Sequence, residues 1–150
     1  MYYLIRQALF FLGPEVAHEV VLKLLQFYGS LARGRNTSET IQVAGISFNN
    51  RLGLAAGFDK NAVAAKGLAA LGFGFLEIGT VTPLKQEGNP RPRLFRLEHD
   101  QALVNRMGFN NDGIDTVVRR LSLCREKVGV PIGINVGKNK STTSDLAVED

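Results

Sequence analysis

Apolar positions divide the chain into an N-terminal segment with helical spacing and a longer segment of short apolar runs. The first twelve residues are apolar almost throughout, and a break at Gly13-Pro14 precedes a second amphipathic stretch. Pro14 suits the first turn of a helix, Glu15 its positive end, and Gly29 the residue after its last turn. The pattern predicts two helices, the second ending near Tyr28.

The second helix has an apolar and a polar face. The predicted apolar face consists of Ala17, Val20, Val21, Leu24 and Tyr28, with Leu25 alongside, and the predicted wet face of Glu15, Glu19, Lys23 and Gln26. Such a helical pair can cap the main body or lie in the surface of a bilayer. The aromatic and apolar content of residues 1–12 favours the bilayer surface.

Beyond a polar linker at 35–40, strand signals alternate with helix signals, which divides the chain into segments 1–35 and 36–150. The predicted elements are a hairpin at 41–43 and 46–48, strands at 52–56, 75–81 and 131–136, helices at about 60–71 and from Asp112 or Asp115 to 127, and an inserted strand pair at 94–97 and 102–106. This order predicts an α/β fold with a parallel sheet and right-handed crossovers. Three parallel strands do not complete a barrel or a well-covered open sheet.

Composition excludes several classes of protein. The net charge of +4 comes from scattered lysines and arginines, so we expect no nucleic-acid partner. Cys124 is the single cysteine, and no Cys/His cluster is present, so neither a disulfide framework nor a metal site is expected. No apolar run approaches the roughly 18 residues of a spanning helix, and no secretory signal is evident. We expect the protein on the cytoplasmic side.

The strands predicted at 52–56 and 75–81 end in residues that could bind a ligand or take part in a reaction. After the first, small residues precede Asp59, a natural helix N-cap, and Lys60. Small residues let a flat ligand lie on the backbone, and Lys60 could stabilise a ligand that gains negative charge. A turn with a solvated lysine explains this segment equally well. Thr80 ends the second strand, where a local bond to the backbone is by itself the simpler explanation.

Two asparagine-containing segments favour a ligand more clearly. Asn105 to Asn111 place three asparagines around Arg106 and Phe109, which suits a planar amide ligand. Turn chemistry would use the asparagines but not Arg106 and Phe109. In the third strand, Asn135 interrupts an apolar run and needs partners, which a cofactor ring edge could supply.

Five segments together resemble dihydroorotate dehydrogenase in their residues and in their order along the chain: LAAGFDK at 54–60, EIGTVTP at 77–83, GNPRPRLFRL at 88–97, NRMGFNN at 105–111 and GINVGKN at 133–139. The N-terminal helical pair resembles the membrane-binding extension of the quinone-linked class. The resemblance implies a (β/α)₈ barrel of which about the first three βα units are present. It implies oxidation of dihydroorotate to orotate in pyrimidine synthesis, with FMN as hydride acceptor and a membrane quinone as final acceptor. It further implies a monomer bound peripherally to the inner membrane.

The resemblance also implies roles for individual residues. The expected FMN contacts are Ala56, Gly57, Phe58, Asp59, Lys60, Thr80 and Asn135. The expected substrate contacts are Lys60, Asn105, Arg106, Met107, Gly108 and Phe109, and the expected quinone contacts are His18 and Arg96. The family's Ser-Pro-Asn stretch, which holds the catalytic base, has no counterpart here, because Ser141 and Ser144 do not match it. Since a barrel needs about 250 residues, we expect these 150 alone to bind FMN weakly and not to turn over.

Two other classes remain open. A non-catalytic membrane-surface module would use the helical pair and the basic charge, but it would not need three strand ends suited to a ligand. A different flavin barrel enzyme, acting on a pyrimidine or uridine base, is disfavoured by NRMGFNN and GNPRPRLFRL.

Overall fold

The computed structural model describes residues 2–32 and 40–150, with helices, parallel strands and two hairpins. The helices are α1 (Tyr2–Phe10), α2 (Pro14–Leu31), α3 (Ala65–Ala70) and α4 (Ile114–Val128). The strands are β1 (Ile41–Val43), β2 (Ile46–Phe48), β3 (Gly53–Leu54), β4 (Phe75–Val81), β5 (Leu94–Leu97), β6 (Ala102–Asn105) and β7 (Ile132–Val136). The predicted linker at 35–40 lies almost entirely outside the described residues, and so does the predicted boundary after residue 35.

The central sheet is parallel, with the strand order β3-β4-β7. Leu76 and Ile78 of β4 are fully buried, because α3 and α4 cover that face with Leu68 and Val117. Each such side chain stabilises the fold by roughly 1.5–3 kcal/mol. The antiparallel pairs β1-β2 and β5-β6 also form. The predicted parallel α/β sheet, the hairpin ahead of it and the inserted strand pair are therefore confirmed.

The helix predicted from about Lys60 begins later, at Ala65. The Asp59 carboxylate accepts hydrogen bonds from the backbone N–H groups of Val63 (2.9 Å) and Ala64 (2.8 Å). These bonds stabilise a turn ahead of the helix instead of the helix itself. The prediction of Asp59 as helix N-cap was therefore wrong, because the N-cap is Ala64, and the chain between Asp59 and Ala65 forms part of the loop beyond β3.

The predicted end of the second helix at Gly29 was also wrong, since α2 continues to Leu31. Gly29 is needed for a close helix crossing instead. A Cβ on Gly29 would lie 2.4 Å from the backbone nitrogen of Gly67 in α3, and a Cβ on Gly67 would lie 1.9 Å from the carbonyl oxygen of Leu25. The two main chains can touch only because neither glycine carries a side chain.

The orientation of α2 agrees only in part with the predicted one, in which Ala17 is buried as expected. Leu22 and Leu25 pack against the core, whereas Leu24 and Tyr28 are exposed. Glu15, predicted on the wet face, has a side chain only 13% exposed and is ion-paired. The buried side of α2 therefore includes the glycine crossing and the ion pair, and it leaves Leu24 and Tyr28 outside. Among the described residues, no helix combines the length and apolar character needed to cross a membrane.

Candidate functional site

Two buried asparagines fasten together the loops at the carboxyl ends of the strands. Asn111 accepts from the backbone N–H of Thr82 (3.2 Å) and donates to its hydroxyl (2.8 Å). Asn139 accepts from the N–H of Leu84 and donates to its carbonyl, both at 2.8 Å. Buried amides stabilise a fold when all their hydrogen bonds are made. These residues therefore hold the loops that carry the predicted site.

The loop after β3 presents bare backbone. Gly57 has φ +104°, and no atom lies within 4 Å of where its Cβ would be. Ala55 and Gly57 are exposed and Ala56 is half-buried, which leaves a surface on which a planar ring could lie. Asp59 is fully buried, and burial raises its pKa against the opposing effect of its backbone hydrogen bonds. Only the backbone of Asp59 could therefore serve a cofactor.

Thr80 and Asn135 lie side by side on the sheet face opposite the helices. The Thr80 hydroxyl donates to Oδ1 of Asn135 at 2.5 Å, and Nδ2 of Asn135 faces Glu77 at 3.5 Å. The register pairs Glu77 with Gly133 and Gly79 with Asn135, so these side chains share one face. Hydroxyl and amide groups beside an open glycine backbone suit the polar edge of a planar heterocyclic ring.

The Lys60 side chain reaches the loop between β6 and α4. Its Nζ donates to Oδ1 of Asn110 at 2.8 Å and lies 3.7 Å from Sδ of Met107. Burial lowers the pKa of Lys60, the charge of Arg93 lowers it further, and Glu15 opposes both effects. The structure thus brings the predicted cation to the predicted substrate loop. Asn110, which the family pattern did not assign, makes the strongest contact.

The other predicted substrate residues follow the same loop. Asn105 accepts from the N–H of Met107 at 2.9 Å, and Arg106 donates to the carbonyl of Pro92 at 3.2 Å. Gly108 packs against Asn89, since a Cβ there would lie 2.9 Å from the Asn89 amide. Phe109 is 57% exposed and has φ +55°. The loop therefore offers an exposed aromatic side chain at Phe109, next in the chain to the asparagine that contacts Lys60.

An apolar cleft of about 820 Å³ lies between the helical pair and the β5-β6 hairpin. His18, Phe58 and Arg96 line it, with mainly apolar side chains around them. His18 Nε2 donates to the carbonyl of Phe58 at 2.6 Å, and the two rings meet edge to face. Arg96 donates to the carbonyls of Leu9 (3.2 Å) and Leu12 (2.7 Å) at the end of α1. A flat apolar molecule with a polar head would suit this cleft.

A buried ion pair, for which no local sequence signal exists, joins α2 to the loop before β5. Arg93, with 7% of its side chain exposed, contacts Glu15 through Nη2 at 2.7 Å and through Nε at 3.1 Å. The exposed Arg91 contacts both Glu15 (3.0 Å) and Glu19 (2.8 Å). Burial alone would raise the pKa of Glu15, but hydrogen bonds and charge from the two arginines outweigh it and lower that pKa.

A parallel α/β sheet with an open backbone, amides and a cation at its strand ends is typical of proteins that bind planar ligands there. The profile of the dihydroorotate dehydrogenase family matches residues 39–150. Curated relatives called dihydroorotate dehydrogenase (quinone), from Azotobacter vinelandii and Aromatoleum aromaticum, are 54% and 51% identical over the whole chain. The chain belongs to the dihydroorotate dehydrogenase family.

Solved structures agree with this assignment. The crystal structure of the Eimeria tenella enzyme in complex with ferulenol superposes with a TM-score of 0.80 at 41% identity, over 92% of this chain and 39% of that one. Its ligand-free form gives a TM-score of 0.79 at 40% identity, over 92% of this chain and 40% of that one. The chain spans 44% of the length of the Azotobacter vinelandii relative and 43% of the Aromatoleum aromaticum relative.

Proposed function

We propose that this chain forms the N-terminal part of a quinone-dependent dihydroorotate dehydrogenase that acts in pyrimidine synthesis. Its sheet would supply about the first three βα units of a (β/α)₈ barrel, with the helical pair as an extension. The names of the relatives support this function over a different flavin oxidoreductase. They also favour it over a membrane-surface module without catalysis.

One observation carries the proposal. Phe58 and Lys60, two residues apart in the loop after β3, face different surroundings. Phe58 lines the apolar cleft, whereas Lys60 reaches the substrate loop. A flavin over Gly57 would therefore have a pyrimidine on one side and a route to a quinone on the other. An enzyme that moves electrons between a polar and an apolar substrate needs this arrangement.

Bound FMN would supply a hydride acceptor for dihydroorotate and an electron donor for the quinone, and the proton that dihydroorotate also loses would go to a base that residues 1–150 do not supply. The backbone of 56–59, Thr80 and Asn135 would hold its ring, and Lys60 would stabilise the negative charge that develops on reduction. Asn105 and the residues through Phe109 would orient the pyrimidine against the flavin. His18 and Arg96 would contact the quinone headgroup at the end of the cleft.

The helical pair would place the protein peripherally on the cytoplasmic face of the inner membrane, as a monomer. Phe11 is 92% exposed and Leu4 71%, so α1 and the residue after its end leave apolar side chains uncovered. Flotation with anionic liposomes of residues 1–35 fused to a carrier tests this claim. We expect binding that weakens on Leu4→Ser with Phe11→Ser. Equal flotation of carrier alone and fusion would remove the claim.

The enzymatic proposal is tested with a hybrid protein: residues 1–150 of this chain followed by the remaining part of the Azotobacter vinelandii relative. We expect the hybrid to retain FMN and to reduce quinone in the presence of dihydroorotate, whereas residues 1–150 alone do neither. Lys60→Ala in the hybrid should lower the rate of flavin reduction. An inactive hybrid beside an active Azotobacter vinelandii protein, prepared in the same way, would contradict the proposal.

A further inference from the structure

The ammonium of Lys60 has one strong hydrogen-bond partner among the described residues. Oδ1 of Asn110 accepts from it at 2.8 Å, whereas the Met107 thioether at 3.7 Å is a weak acceptor. The ion pairs of the described residues do not include Lys60. A neutral amide therefore fixes the direction of this side chain, and no carboxylate of the described residues forms a direct ion pair with it.

Asn110 is itself held in place by its neighbour. Asn111 is 3% exposed, and its amide bonds to Thr82, to the carbonyl of Phe109 and to the N–H of Gly113. The backbone on both sides of Asn110 is thereby fastened to the end of β4. A side chain on such an anchored segment can orient another side chain more precisely than one on a free loop.

The charged groups around Lys60 explain why an amide side chain suits position 110. Burial and the charge of Arg93 lower the pKa of Lys60, while Glu15 raises it. The titratable and charged groups around Lys60 are Glu15, His18 and Glu19 on α2, Asp59 in the adjoining turn, and Arg91 and Arg93 on the loop before β5. A carboxylate in place of Asn110 would neutralise the cation, and an apolar residue would leave it without an acceptor.

We propose that Asn110 is a positioning residue that holds the Lys60 ammonium at the carboxyl end of β3, where the reacting ligand gains negative charge. This inference rests on the proposed function and adds one residue to the 105–109 segment assigned to substrate by resemblance. Its importance would lie in the transition state, because orientation of a charge matters most where charge develops.

The first measurement is independent of flavin and activity. Competitive acetylation followed by mass spectrometry reports the pKa of Lys60 in the folded hybrid. Asn110→Ala should lower that pKa, because a buried ammonium loses its acceptor, and Asn110→Asp should raise it. Asn89→Ala is the matched control. The Asn89 amide donates to the carbonyl of Arg106, which lies in the same loop as Asn110, and it is not among the hydrogen-bond partners of Lys60. It should leave the pKa of Lys60 unchanged.

The second measurement is the rate of flavin reduction by dihydroorotate. Both Asn110 variants should lower kcat by about tenfold to a hundredfold with a smaller change in KM, while Asn89→Ala changes kcat much less. A Lys60 pKa that does not respond to Asn110→Ala would overturn the inference, and so would an equal loss of kcat in Asn89→Ala. If the unaltered hybrid does not reduce its flavin, the proposed function fails. The acetylation result would still decide whether Asn110 holds Lys60.

Discussion

The buried pair of Glu15 and Arg93 offers a strong test of how α2 is attached. We consider Glu15→Gln, which keeps the size of the side chain and removes its charge. Arg93 would remain buried, with the carbonyls of Glu87 and Asn89 as its other acceptors. Removing one partner of a buried pair costs about 3–5 kcal/mol. We expect about 3 kcal/mol, the low end of that range, because the glutamine oxygen can still accept one N–H.

Glu19→Gln, one turn along the same helix, is the matched control. Glu19 is 47% exposed and its partner Arg91 is 59% exposed. Exposed pairs contribute between 0 and about 1 kcal/mol. The same chemical change four residues away should therefore have a much smaller effect on the free energy of unfolding. Urea unfolding of the hybrid, with hydrogen exchange of the α2 amides, measures both variants.

The pH dependence gives a second check on the same pair. The pKa of Glu15 is lowered from an ordinary value of 4.5. The stability that its ionisation contributes is thus present above about pH 4.5 and is lost as the pH falls through the lower folded-state value. The difference between the unaltered hybrid and Glu15→Gln should narrow over that acidic range. A Glu15→Gln cost no larger than that of Glu19→Gln at neutral pH would refute the reasoning.

Three further substitutions in the hybrid test other contacts. Gly67→Ala should prevent α2 from packing against α3 and lower the free energy of unfolding by at least about 1–3 kcal/mol. Gly13→Ala, whose added Cβ would meet open space, should lower it by less than about 1 kcal/mol. Thermal unfolding compares the two variants, and equal losses would count against the close crossing. Thr82→Val leaves the buried amides of Asn111 and Asn139 without their hydroxyl acceptor. It should lower the free energy of unfolding in urea by about 1–3 kcal/mol, and an unchanged free energy would mean that water replaces the hydroxyl. Arg96→Ala removes the donor to the carbonyls at the end of α1 and should speed hydrogen exchange in α1 while leaving β4 unchanged; unaltered exchange would show that α1 is held by other contacts.

Local periodicity was sufficient to predict most of the fold. Phe75–Val81 and Leu94–Leu97 form strands with the predicted bounds, because alternation and flanking turn residues are local signals. Element ends were less predictable. Gly29 resembles a helix terminator in sequence, but whether a glycine ends a helix or permits a crossing depends on a partner 38 residues away. Likewise, Asp59 could cap a helix or stabilise a preceding turn, and the packing around it selected the turn.

The sequence by itself determined the alternating α/β order and the family, and it singled out the segments that we propose for the ligand site, since each of these is encoded in contiguous residues. Tertiary structure decided which side chains meet within those segments. It separated three similar asparagines by role: Asn105 turns the backbone, Asn110 holds Lys60, and Asn111 is buried against Thr82. It also placed Glu15 beside Arg93, 78 residues apart in the chain. Contacts over such separations depend on how helices and loops pack, which no short stretch of sequence encodes.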